Sequence, residues 1–130
     1  MNFKMSFLAA ISIVLLSVTT VQAAFVENNY VCEDAYMEVA YECSNNAVTT
    51  EKNRLNKVYM TAYRTLSKPQ KSKLDQEQIA WLKTRDDKCD FDYDGPMNNT
   101  VVYAQIEANV CTANESQKRS KALAKKYNIK

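Results

Sequence analysis

The chain has 130 residues, 46% apolar and 25% charged, which is one globular domain and not a disordered tail. One glycine and two prolines are too few turn formers for a many-stranded sandwich or barrel. The absence of histidine removes the commonest general base and the usual zinc or haem ligand, and a net charge of +2 does not point to nucleic acid.

Residues 1–24 read as a secretory signal peptide. Lys4 supplies a short positive start. An apolar run from Phe7 to Val18 follows, broken only by serines. Val21-Gln22-Ala23 then ends on a small residue, so cleavage is expected after Ala23 or Ala24. The run is shorter than the roughly 20 apolar residues a membrane span needs, so no stable membrane anchor is expected. A lipoprotein would need a cysteine directly after the run, and the first cysteine is Cys32. The remaining chain of about 107 residues holds 16 basic and 15 acidic side chains. It is read as one helical domain, residues 25–130, exported to the periplasm or secreted.

Charge falls in blocks. Residues 27–51 hold six acids and no base, and residues 52–73 hold seven bases and no acid. Residues 75–94 hold seven acids and three bases, and residues 107–130 are again mostly basic. Such blocks could pair across an antiparallel helix bundle, although exposed ion pairs contribute only about 0–1 kcal/mol each.

Apolar spacing predicts a first helix over residues 34–43, with Tyr36, Val39, Ala40 and Cys43 on one face. A second is predicted from Thr49 or Thr50, where Leu55, Val58, Tyr59, Ala62 and Leu66 form one helical stripe. Ser67 and Gln70 make a capping box for the next helix, with Pro69 in its first turn. That helix runs to about Cys89, with Leu74, Gln78, Trp81, Leu82, Arg85 and Cys89 facing inward. Residues 90–99 contain Asp94-Gly95-Pro96 and Asn98-Asn99 and form the main loop. A last helical region carries Val102, Ile106, Val110 and Ala113. A break is expected near residues 112–116, before Arg119, Leu123 and Tyr127. The fold class is therefore all-α: a small, disulfide-stapled antiparallel bundle of three to five helices.

Four cysteines behind a signal peptide predict two disulfides and no free thiol. Three pairings are possible, and the sequence-adjacent one, Cys32–Cys43 with Cys89–Cys111, is chosen. On one continuous helix the first pair would lie about 16 Å apart, beyond the roughly 7 Å limit for Cα atoms. The chain must therefore fold back between Cys32 and the first helix.

The cysteines stand in order with Leu55-Asn56-Lys57-Val58-Tyr59 and Gln78-x-x-Trp81-Leu82-x-x-Arg85-Asp86-x-x-Cys89. Ser116, Arg119 and Leu123 follow Cys111. This arrangement resembles the secreted bacterial family named after the lysozyme inhibitor LprI, a helical four-cysteine domain. The resemblance implies a binding protein whose partner is lysozyme or another cell-wall hydrolase, with no cofactor. An immunity protein against a rival's wall-degrading toxin, or an envelope interaction module with a non-lysozyme partner, is the alternative. Asp86 and Asp87 do not make an acid–base pair, because neighbours on a helix point about 100° apart. The chain is read as a non-enzyme.

Gln78, Trp81 and Arg85 share a helical face, and Arg119 sits where the family repeats an arginine. Their expected role is an internal network that fixes helix register. Asp90-x-Asp92-x-Asp94-Gly95 matches the first half of a calcium loop. Position twelve of that loop is Val101, not glutamate, so no metal is expected. The stretch Asp90, Phe91, Asp92, Tyr93 and Asp94 places two aromatics among three carboxylates directly after a cysteine. It is the candidate partner-binding loop.

Overall fold

Three helices make the domain in the computed structural model, which describes residues 29–91 and 93–130. They are α1 (Met37–Arg64), α2 (Lys68–Cys89) and α3 (Asn99–Lys126). Among the described residues there is no strand, and no helix is long and apolar enough to cross a membrane. The predicted signal segment lies outside them.

The helix count is at the low end of three to five because two expected breaks are absent. Residues 44–48 continue α1, and residues 112–116 continue α3. Neither stretch contains glycine or proline. The small residues that suggested turns are instead buried between the helices: Ser44 and Ala47 on α1, Ala113 and Ser116 on α3. α1 also starts later than expected. The chain doubles back through residues 32–36, which brings the Cα atoms of Cys32 and Cys43 to 5.7 Å. Asp34 Oδ1 accepts the Tyr36 N–H at 2.9 Å inside this reversal. Tyr36 and Val39, expected on an apolar face, are exposed.

The bundle is not antiparallel throughout. Cys32, Ala40 and Ile106 pack in one cluster. Asn109 donates to Ser44 Oγ at 3.2 Å and to Asn45 Oδ1 at 2.9 Å. Leu55, Val58 and Ala62 pack with Leu123 and Ala124 in a second cluster. Rising numbers on α1 therefore meet rising numbers on α3, and these two helices run parallel. They share the main interface of the molecule.

α2 runs antiparallel to both and covers only the half that holds the second cluster. Its only buried residues are Leu74 and Cys89. Leu74 anchors one end among Leu55, Val58 and Leu123. The other end is bonded to α3 through Cys89–Cys111. Between them, Glu77 pairs with Lys126 at 2.9 Å, and Lys88 pairs with Glu115 at 2.8 Å. Tyr59 and Tyr63 of α1 both donate to Asp75 of α2.

The helix ends follow local rules. Gln70 Oε1 accepts from the Ser67 backbone N–H at 2.9 Å, the expected capping contact, and Pro69 sits in the first turn. Asn98 caps α3 by accepting the Thr100 N–H at 2.9 Å. α3 ends with Asn128 at φ 52°. There Ile129 N–H bonds Ala124 C=O at 2.9 Å and Asn128 N–H bonds Lys125 C=O at 3.4 Å. This is a Schellman turn, and it returns Ile129 to the core.

Leu74→Ala should cost about 2–5 kcal/mol in urea unfolding, because it empties a fully buried site that joins all three helices. The acid limb of stability has a separate source. Hydrogen bonds from Lys88 and Lys118 hold the Glu115 carboxyl below its usual pKa of 4.5, and Lys126 does the same for Glu77. These contributions are complete above pH 4.5 and are lost as pH falls through the lowered values. Melting temperatures of a Glu77→Gln/Glu115→Gln variant should therefore fall less steeply below about pH 4.5 than those of the parent.

Candidate functional site

Residues 29–36 form a strap across the open end of the α1–α3 pair. Tyr30 fixes it from three sides. Its backbone N–H donates to Asn114 Oδ1 at 2.7 Å, and its C=O accepts from Asn114 Nδ2 at 3.2 Å. Its hydroxyl donates to Glu51 Oε1 at 2.7 Å. Glu51 is completely buried between the helices, and its other oxygen accepts from Arg54 Nε at 3.1 Å. Burial and the Glu51 bond push the Tyr30 hydroxyl up to about 12. Two residues later the Cys32–Cys43 bond closes the strap onto α1.

Between the strap and α3 lies an apolar groove of about 480 Å³. Its walls include Val31, Tyr103, Ile106 and Val110, and Val31 and Tyr103 are 69% and 48% exposed. Glu33, Asp34 and Glu107 stand at its rim. Sequence reasoning missed this groove. The lone tyrosine ahead of the first cysteine was the available signal, but its partners are 21 and 84 positions away.

The predicted loop lies beside the groove. Phe91 is half-buried and shares hollows with Ala104 and Ala108 of α3, next to Glu107. Tyr93 stacks on Phe91 with ring centroids 6.2 Å apart, and its hydroxyl donates to the Pro96 C=O at 3.2 Å. Its ring covers Gly95, where a Cβ would sit 2.5 Å from ring atoms. The two aromatics thus brace the loop against α3 instead of standing free. Asp94 is exposed, and the Asp90 carboxylate accepts the Phe91 N–H at 2.8 Å. Asp92 lies outside the described residues. Among those described, no three His, Cys, Asp or Glu side chains are placed to hold a metal ion.

Gln78, Trp81, Arg85 and Arg119 come together on the other half of the molecule. The Trp81 ring lies between two guanidinium groups, Arg85 at 5.3 Å and Arg119 at 5.7 Å. Arg119 Nε donates to Gln78 Oε1 at 3.1 Å, joining α3 to α2. Trp81 is half-buried, so it seals the edge of the second cluster and is not a fully enclosed core residue. Through these contacts the group joins α2 to α3.

The parallel pairing also sorts charge. Residues 29–51 and 89–114 meet at one end, and they contain no lysine or arginine. That end carries Glu33, Asp34, Glu38, Glu42, Asp94 and Glu107, beside the groove and the loop. Residues 52–73 and 116–130 meet at the other end, and they contain no acid. The antiparallel pairing expected from the sequence would have mixed the blocks.

A family model described as lysozyme inhibitor LprI matches residues 32–123. No curated protein and no solved structure matches the chain.

The Tyr30–Glu51 bond supports a direct test of the strap. Tyr30→Phe leaves a buried carboxylate one donor short and should cost about 1–3 kcal/mol. The hydroxyl's raised pKa means that its contribution is complete below pH 10 and is lost as pH climbs toward 12. A phenolate absorbance titration should show one high-pH tyrosine fewer in the variant.

Proposed function

The chain belongs to the LprI lysozyme inhibitor family, and we propose that it is an exported protein that blocks lysozyme or another peptidoglycan hydrolase by docking on it. It does so without chemistry of its own. The observation that carries this reading is the acidic end. Two carboxylate-rich helix halves, the strap and the loop converge there around an apolar groove; residues 29–51 and 89–114 hold no lysine or arginine, and Lys88 at the base of the loop is paired with Glu115.

Animal-type lysozymes are cationic, and their clefts hold two carboxylates and bind sugars. An acidic surface draws in a cationic body and fixes its orientation. The apolar floor of the groove then supplies area that excludes water at the centre of contact. Both parts are tied down in advance. The strap is held by Cys32–Cys43 and the two Asn114 bonds, and the loop springs from Cys89 and is braced by the Phe91–Tyr93 stack. Little conformational freedom is left to lose on binding.

The test is a titration of a cationic lysozyme with the disulfide-bonded protein, followed by cell-wall lysis. Inhibition should saturate at a stoichiometric ratio and weaken as salt screens the acidic end. Glu33→Gln/Asp34→Asn/Glu107→Gln should weaken it at least tenfold, about 1.4 kcal/mol. Phe91→Ser/Tyr93→Ser with Asp92→Asn/Asp94→Asn should do the same by removing the neighbouring wall. Full lysis at molar excess of the protein would remove lysozyme as the target and favour a different envelope partner. Full potency in both variants would show that docking uses another face.

A further inference from the structure

The second charged end has its own construction. Arg64 ends α1, Lys68 and Lys73 lie on the first turns of α2, and Lys125 sits in the last turn of α3. The cluster of Leu55, Val58, Ala62, Leu123 and Ala124 binds these three helix ends into one tip. All four cations are exposed. Lys71 and Lys126 add to the group, lying 5.0 Å and 5.3 Å from the rings of Tyr63 and Tyr127.

The carboxylates nearest the tip are already engaged. Asp75 accepts from Tyr59 and Tyr63, and Glu77 is paired with Lys126. These two carboxylates stand against the six cations Arg64, Lys68, Lys71, Lys73, Lys125 and Lys126, so the tip stays net positive.

Its shape narrows the choice of partner. Helix ends and a short turn build it, so its cations spread over a projecting surface. None of the four exposed cations lines a described groove, whereas a pocket for one small anion would converge them. The apolar residues nearest the tip, Leu66 and Ile129, are turned onto the core. There is charge to attract an anionic surface, and the larger exposed apolar side chains nearest it are only Pro69 in the turn and Met60 one turn back along α1.

We propose that this basic tip is a second docking surface, which seats the protein on an anionic phospholipid bilayer by adsorption alone. Clusters of four to eight lysines and arginines on one surface are the signature of such binding. The acidic groove lies toward the other end of α1 and α3; its rim at Glu107 is 18 residues from Lys125 on α3, about 27 Å at 1.5 Å per residue. A seated molecule would hold its groove and loop away from the membrane.

Cosedimentation with vesicles tests this directly, using the disulfide-bonded protein at low ionic strength. The protein should pellet with vesicles of equal parts phosphatidylglycerol and phosphatidylcholine, and not with phosphatidylcholine alone. Added salt should release it. Arg64→Gln/Lys68→Gln/Lys73→Gln/Lys125→Gln should lower partitioning at least tenfold while keeping the parent's circular dichroism. Glu33→Gln/Asp34→Asn/Glu107→Gln should partition at least as well as the parent. Equal partitioning of the fourfold variant and the parent would overturn the proposal. So would binding to soluble polyphosphate with none to the vesicles. Loss of partitioning in the acidic-end variant, together with concentration-dependent self-association of the parent, would assign the tip to a second copy of the chain instead. Hydrolase inhibition is measured without vesicles, so neither result decides the other.

Discussion

Ala40, Ser44 and Ala47 on α1 and Ala113, Ser116 and Ser120 on α3 are all buried between the helices. Side chains this short let two backbones approach closely. They also leave little apolar volume to bury, so the middle of the molecule cannot be held by a large core. Buried positions on α1 fall at 40, 44, 47, 51, 55, 58 and 62. That pattern repeats every eleven residues, or 3.67 per turn, close to the helix's own period. The buried line therefore drifts little from Ala40 to Ala62, and α3 can follow it. Larger side chains gather only at the two ends, in the clusters around Ile106 and Leu74. Two disulfides supplement this thin core. Loop-closure entropy gives each about 3 kcal/mol, a large share of the stability of a domain this small.

A seam of small residues has one costly member, Glu51. A buried carboxylate persists only where hydrogen bonds replace water. Here the donors are Tyr30 from the strap and Arg54 one turn along the same helix. The seam and the strap therefore depend on each other. Glu51 positions Tyr30, Tyr30 positions residues 31–34, and those residues form one wall of the groove. Asn114 completes the arrangement, because its side chain bonds both polar groups of the Tyr30 backbone. In sequence Asn114 belongs to an Asn-Glu-Ser triplet that reads as a glycosylation sequon. In the fold both ends of its amide are used to clamp Tyr30.

What could be read in advance was what depends on neighbours in sequence. The Leu55, Val58 and Ala62 stripe, the Ser67–Gln70 cap and the loop after Cys89 are local patterns, and they stand where they were expected. The disulfide pairing also matches, including the fold-back that Cys32–Cys43 requires. The misses share one cause. Ser44, Asn45 and Asn46 look like a turn, yet Ser44 is a contact residue and Asn45 accepts a bond from Asn109, 64 positions away. Thr112, Ala113 and Asn114 were misread in the same way. Helix direction was equally hidden, because charge blocks alone allow either pairing. In the candidate site, composition marks the loop but says nothing of how its aromatics pack. The ring of Tyr93 on Gly95 shows why glycine is there, and no sequence pattern contains that contact. The groove could not be found at all, since its walls come from residues 30–34 and 103–111.

The parallel pairing also changes what the net charge means. Counted over the whole chain, +2 suggests a protein with little electrostatic reach. That would hold if the charges were mixed. α1 and α3 each run from acidic to basic, and packing them side by side in the same direction adds the two gradients. Antiparallel packing would have cancelled them. The groove rim and the basic tip lie about 27 Å apart along α3, while the screening length at physiological salt is about 8 Å. A partner approaching one end is therefore barely influenced by the other, and each end acts with its own local charge. The cost to the fold is small, because most of these charges are exposed, where pairwise terms stay within about 1 kcal/mol. The same choice of helix direction that lets small residues form a seam thus gives a near-neutral chain two surfaces of opposite sign. The acidic surface is the one that also has an apolar groove, so it is the end with the features of a specific protein contact.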